Sequence, residues 1–287
     1  MTVAVLTDSA ASLPEPMAER FGITVLPLGL VVGDQILRDG ELTMEEFLVR
    51  LDEGVTTAGV SAGEVAAALK ARLDEPNVDA AIVLTVSAMM SSTYEAVRVG
   101  ASALGGPSSD AIEVFDTGTA AGAQGLVVLA AAERAAAGAP LDEVTATADR
   151  VADEVRLVAS VDSLDYLVRS GRVPGIAGWA GRHLGVQPLF EFRRGRIVRQ
   201  RPAFSEAAAL ERIASQCRSS QPDDPDARLH VAGLHALAPN RAMDLLHRVT
   251  EGENDARSFL AAFSTVMVAH TGPGLAGLAW WWERPNP

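Results

Sequence analysis

Short apolar runs alternate with longer amphipathic stretches along this chain, and the alternation predicts an α/β architecture. Residues 3–7, 24–28, 81–85 and 112–115 are runs rich in Val, Ile, Leu and Ala, as buried strands require. Between them lie stretches with helical start signals. Ser12-x-x-Glu15, Thr43-x-x-Glu46 and Ser61-x-x-Glu64 each fit the capping box, in which a hydroxyl and a carboxylate satisfy the first free amides of a helix. Further helices are predicted over 125–137, closed by Gly138, and over 141–154. Strands alternating with helices build a mostly parallel sheet covered on both faces.

A second set of elements begins near Arg156. Residues 156–160 predict a strand, and 162–168 a short helix capped by Asp162 and stopped at Gly171. A helix is expected over 174–184. The runs 190–193 and 196–199 flank Arg194-Gly195, the pattern of a β-hairpin. Then come a helix (205–218), a polar linker (219–226), a strand (229–234) and a helix opening at Pro239. A buried strand over 264–269 and a terminal strand carrying Trp280-Trp281-Trp282 close the chain. No flexible linker divides the two sets, so the expected organisation is two closely packed α/β domains, 1–155 and 156–287.

Composition narrows the function. A net charge of −13 disfavours a general nucleic-acid binder, which needs a basic surface. Lys70 is the only lysine, and no Gly-Lys-Ser/Thr nucleotide loop occurs. Cys217 is the only cysteine, which excludes an intramolecular disulfide and a cysteine-rich zinc site. Its helical spacing from Leu210, Ile213 and Ala214 marks it as a buried helix residue rather than a catalytic thiol. The chain enters its first strand without a basic, then apolar, leader, and its most apolar helix is interrupted by Glu133 and Arg134. A soluble cytoplasmic protein is the expectation.

The candidate chemistry clusters at element ends. His270-Thr271-Gly272-Pro273-Gly274 places a histidine and a glycine turn after a predicted strand, where open α/β sheets bind ligands. Three hydroxyl clusters, Thr7-Asp8-Ser9, Thr56-Thr57 and Ser87 with Ser91-Ser92-Thr93-Tyr94, sit at strand ends or helix starts. Free amides there suit a carboxylate or phosphate, although helix capping alone explains any one cluster. Arg172, after a glycine turn, is either an oxyanion fork or a surface partner for an acid such as Asp39. Arg193, Arg194, Arg196, Arg199 and Arg201 form a basic hairpin, read either as a charged edge strand or as a docking surface for a phosphate-bearing partner or anionic membrane. Asp8, Asp39 and Asp116 are read as metal ligands, bases or turn caps, and no His-x-x-x-His, EF-hand or His/Cys cluster supports a metal. His183, His230, His235 and His247 default to packing or exposure. A Ser-His-Asp hydrolase stays open, without a Gly-x-Ser-x-Gly elbow to support it.

Taken in order, these segments resemble the DegV family of bacterial fatty-acid-binding proteins. The likeness runs through Thr7-Asp8-Ser9, Asp39-Gly40, Thr56-Thr57, Ser91-Ser92-Thr93-Tyr94, Asp116-Thr117, Leu164-Asp165-Tyr166-Leu167, Ser170-Gly171-Arg172-Val173 and His270-Thr271-Gly272-Pro273-Gly274. The resemblance implies a two-domain α/β protein with a lipid tunnel between the domains and no cofactor. It implies a long-chain fatty acid whose carboxylate is held by Thr57 and Ser91, with His270 near and Ser92, Thr93 and Gly272 in the same motifs. It implies Arg172 beside the head group or an acyl phosphate, Asp39 holding that arginine, Thr56 in support, and Arg201 at a position associated with kinase or membrane contact. The partner implied is a separate ATP-dependent fatty acid kinase. Three segments depart from the family pattern. The usual Thr-Ser-Gln-Pro-Ser reads Thr57-Ala58-Gly59-Val60-Ser61, the usual Ser-Gly-Thr-Tyr reads Ser91-Ser92-Thr93-Tyr94, and Gln187-Pro188 replaces a lysine-proline pair. The leading expectation is a non-catalytic lipid carrier. The alternatives are a serine- or histidine-dependent acyl hydrolase or transferase, and a lipid-responsive regulatory module.

Overall fold

Three sheets share one core in the computed structural model, which describes residues 2–51, 54–106, 111–172, 186–253 and 255–284. The expected helix over 174–184, and His183 within it, lie outside the described residues. The first sheet is parallel, in the order β2-β1-β6-β7, from β1 (Thr2–Asp8), β2 (Thr24–Leu26), β6 (Val78–Thr85) and β7 (Ile112–Asp116). The second has six strands in the order β10-β9-β8-β13-β11-β12. These are β8 (Arg156–Ser160), β9 (Gln187–Arg193), β10 (Arg196–Ala203), β11 (Arg228–His235), β12 (Arg257–Ala262) and β13 (Ala276–Glu283). Only β11 and β12 pair in parallel there. A small antiparallel sheet, β4-β3-β5, joins β3 (Gly29–Val32), β4 (Gln35–Arg38) and β5 (Thr56–Ala58).

Burial explains the strand patterns. Val3 to Asp8 are all buried, as expected of a parallel strand covered on both faces. The three tryptophans of β13 alternate instead. Trp280 and Trp282 pack with Ile213 and Leu245, while Trp281 joins the core around the Ala121–Ala136 helix. Cys217 is buried in the helix Glu206–Arg218, and burial pushes its thiol up to about 12, so it stays protonated. Among the described residues, no helix is long and apolar enough to cross a membrane.

The helix Ala121–Ala136 packs against β1 of the first sheet and β11 and β13 of the second. Every residue from Ala121 to Leu129 is buried. A helix apolar all round belongs between two layers. Small side chains let the layers close: a Cβ at Gly122 would stand 2.6 Å from Ala232 Cβ and 2.6 Å from a Leu234 methyl.

Several sequence expectations need correction. The capping boxes at Thr43 and Ser61 form, but Ser12 adopts a left-handed backbone (φ 50°), and the first helix, Glu15–Arg20, starts after Pro14. The helix expected over 162–168 is Asp165–Ser170, because the Asp162 carboxylate pairs with Arg241 instead of capping. Residues 264–269 do not form a strand. They belong to the helix Thr265–Thr271. A short apolar run carries no period that separates the two choices.

Gly122→Val should overpack the contact between helix and second sheet. Urea unfolding is expected to show a loss of about 1–3 kcal/mol, and unchanged stability would mean the layers are free to separate.

Candidate functional site

The parallel sheet reverses strand order between β1 and β6, and a crevice opens beyond their C-terminal ends. An acid of the chain itself closes its floor. The Asp8 carboxylate accepts the Val86 N–H (2.7 Å), the Ala10 N–H (3.1 Å) and Gln124 Nε2 (3.2 Å). Burial raises its pKa to about 6 against the opposing pull of those donors. Ala10 and Val86 then present apolar surface to a cavity of about 280 Å³, with Leu28, Met90, Leu167 and Met267 on its other walls.

Polar groups gather on the same cavity. Thr57 of β5 and His270 of the helix Thr265–Thr271 meet through a 2.9 Å hydrogen bond between Oγ1 and Nε2. These residues are 213 positions apart in sequence. Burial, helped by the positive charge of Arg172, lowers the His270 pKa to about 4, so the imidazole is neutral at neutral pH. Ser91, Ser92, Ser170 and Arg172 complete the polar lining. A second cavity of about 270 Å³ shares Thr57, Ser170, Arg172 and His270 with the first. It adds Thr56, Tyr166 and Arg169, and no acid lines it among the described residues. Larger open grooves, such as one of about 830 Å³ beside β7, lack any such meeting of histidine, hydroxyls and arginine.

The structure thus brings Thr57, Ser91, Ser92, Arg172 and His270 to one cavity, with Thr56 in the adjoining one. The remaining expected residues stand elsewhere. Thr93 is fully buried behind the lining, its Oγ1 2.8 Å from Ser91 Oγ. Gly272 ends the His270 helix with φ 68°, and the Tyr166 ring occupies the space a side chain would need. Asp39 was expected to hold Arg172. Its carboxylate instead accepts the Ser9 hydroxyl at 2.7 Å and the Thr265 hydroxyl at 3.1 Å, because the His270 segment is a helix whose first turn faces it. Arg201 is exposed on β10, away from both cavities. Ser91 and His270 each have another hydroxyl partner, so no Ser-His pair is assembled between them.

Sequence reasoning overlooked Arg169 and named Tyr166 only within a family motif, with no role at the site. Arg169 lies 4.4 Å from the Tyr166 ring centre, and both line the second cavity. Their i, i+3 spacing just ahead of Arg172 is the signal that would have found them. Among the described residues, no group of three or more His, Cys, Asp or Glu is placed to hold a metal ion.

A parallel sheet joined to a mixed one, with an apolar cavity edged by hydroxyls, a histidine and an arginine, defines the class: an α/β protein with a cavity of mixed polarity. The sequence matches the DegV family, described as uncharacterised proteins, over residues 2–283, and the chain belongs to that family. A DegV domain-containing protein of Streptomyces coelicolor is 36% identical over 283 residues, covering 96% of this chain and 97% of its own length. A fatty acid-binding protein of Thermotoga maritima is 28% identical over 96% of each chain. The structure of a fatty-acid-binding DegV family protein from Thermus thermophilus superimposes with a TM-score of 0.88 at 26% identity, covering 98% of this chain and 99% of that one.

The pKa of His270 sets a testable pH dependence. Between pH 6.5 and 4 the unfolded chain protonates this histidine and the folded one does not, so stability falls as pH is lowered through that window. The wild type should lose about 2–3 kcal/mol relative to His270→Asn across it in urea unfolding. The Asp8 contribution has the opposite sign and cancels in the difference. Parallel curves for the two proteins would show that His270 titrates normally.

Proposed function

We propose that this chain is a cytoplasmic fatty-acid-binding protein that holds one long-chain fatty acid and presents its carboxylate to a separate kinase. The observation that carries this reading is the apolar cavity ending at the Thr57–His270 pair and sharing its polar residues with a second cavity that no acid lines among the described residues. Each methylene transferred from water into the first cavity gains about 0.8 kcal/mol. The carboxylate needs only a few donors, which Thr57, Ser91 and neutral His270 supply. Ser92 and Arg172 flank them, while Thr93, Asp39 and Gly272 act from behind by fixing backbone and hydroxyl positions. Relatives described as fatty-acid-binding proteins support the ligand class.

In this reading the second cavity is the place where phosphoryl chemistry meets the carboxylate. Arg172 and Arg169 would offset the added negative charge, and Thr56 and Tyr166 line the approach. The carboxylate oxygen would attack the γ-phosphorus of ATP held by the partner, with ADP leaving as the bond to the bridging oxygen breaks, so the carrier supplies binding and orientation and needs no cofactor. The two expected domains, 1–155 and 156–287, act as the two walls of the seam. The basic hairpin around Arg201 is the surface offered to the kinase or an anionic membrane.

A second reading has one observation in its favour. A hydroxyl 2.9 Å from a neutral imidazole, as at Thr57 and His270, is also the geometry of a nucleophile and its base. Turnover of palmitoyl esters that disappears in Thr57→Val would select it.

Delipidated protein is expected to bind one C14–C18 fatty acid in calorimetry and native mass spectrometry. Thr57→Val and His270→Ala should each weaken it about tenfold, while Arg172→Ala spares the fatty acid and impairs acceptance of an acyl phosphate. Failure of the wild type to bind any fatty acid in this range overturns the proposal.

A further inference from the structure

We infer that Asp39 is a positioning residue: by accepting the Thr265 and Ser9 hydroxyls it fixes the helix carrying His270 against the segments that wall the acyl cavity. Asp39 lines neither cavity. It stands just after β4, at the meeting point of three other segments. Its Oδ1 accepts Thr265 Oγ1 at 3.1 Å, at the first turn of the His270 helix. Its Oδ2 accepts Ser9 Oγ at 2.7 Å, and Ser9 Oγ in turn accepts the Leu28 N–H at 3.1 Å. Ser9 adjoins Ala10, and Ala10, Leu28 and Val266 are cavity walls. One carboxylate therefore joins the end of β1, the link between β2 and β3, the end of β4 and the helix that presents the imidazole.

The helix needs such an anchor. It has seven residues, too few to be stable alone. Its N-cap residue, Ser264, makes no side-chain capping bond, and Ser264 Oγ is buried without a partner among the described residues. A carboxylate bonded at Thr265 supplies the missing tie and complements the positive end of the helix dipole. Thr265 precedes His270 by about 7.5 Å of helix, so a tilt at one end displaces the other. At that far end Thr57 tolerates little displacement, because its bond to Nε2 is 2.9 Å long. The neutral, buried state of His270 depends on the same seating.

The inference rests on the acyl-carboxylate reading for its ligand arm only. The experiment compares wild type, Asp39→Ala, Thr265→Val, the Asp39→Ala/Thr265→Val double variant and Thr265→Ser, with palmitate calorimetry and NMR titration of the His270 ring. Thr265→Val and Asp39→Ala should each weaken palmitate about tenfold. The double variant should be no weaker than the worse single one, since both remove the same tie. In both single variants the His270 midpoint should move up from about 4 toward 6.5 as water reaches the ring, and Thr265→Ser should restore both readouts. The titration needs no ligand, so a wild type that binds no palmitate but shows these shifts sinks the proposed function and keeps the inference. A folded Thr265→Val with wild-type affinity and an unmoved His270 midpoint overturns the inference, as do fully additive losses. Should Asp39→Ala fail to fold, Thr265→Val decides alone.

Discussion

The constraint on which the molecule depends is the burial of one helix between two sheets. Ala121–Ala136 offers mostly Ala, Gly, Val and Leu on all sides, and β1 lies on one side of it with β11 and β13 on another. Small side chains let the sheets approach, and burial of the whole cylinder makes sliding them apart costly. The relative placement of the sheets is thereby fixed by apolar packing, independently of the polar contacts. Everything at the seam inherits that placement. The Thr57–His270 bond is a consequence of it: a bond spanning 213 residues of sequence is affordable only where rigid layers have already brought its ends together.

Two carboxylates then divide the polar work at the seam. Asp8 occupies the crevice between β1 and β6 and satisfies the amides of Ala10 and Val86. In many open α/β proteins such amides meet a phosphate. Here the anion position is already filled by the chain, which leaves apolar residues to face the cavity. Asp39 works one layer further out, on hydroxyls rather than amides. The polar mouth is left to groups that are neutral or positive, namely Thr57, His270 and Arg172, in a chain whose net charge is −13.

Most of the fold was legible from local pattern because most of its elements are long or clearly punctuated. Leu141–Glu154 carries a clear helical period, Arg156–Ser160 is a short buried run following it, and Arg194-Gly195 marks its hairpin. What escaped is short. β3, β4 and β5 have four, four and three residues, and β12 lacks the β-branched residues that mark a strand. The His270 segment misled because Thr, Val, Met and Val satisfy a buried strand and a buried helix equally. The contact its first turn makes is equally non-local: Thr265 donates to Asp39, 226 residues away. The site was legible as a set of residues and not as an arrangement. Thr57, Ser91, Arg172 and His270 announce themselves by type and position, but no local signal says that Asp39 turns toward Thr265 rather than toward Arg172.

Two of the departures from the family pattern, Gly59 and Ser92, face each other across one contact. A Cβ at Gly59 would stand 3.0 Å from Thr93 Oγ1 and 3.5 Å from Ser92 Oγ. The strand end after Thr57 therefore packs directly on the start of the Thr93–Ser102 helix. In the usual pattern the strand side carries the bulk, a glutamine, and the helix side carries the glycine. In this chain the glycine is at 59 and the helix side has gained the hydroxyl of Ser92. The small residue has changed sides, so the two segments still meet at close range while the polar group now comes from the helix. Thr57 and Ser91 flank this contact and are unchanged. In the fatty-acid reading the exchange changes the side chain that stands beside those two hydroxyls, Ser92 in place of a glycine.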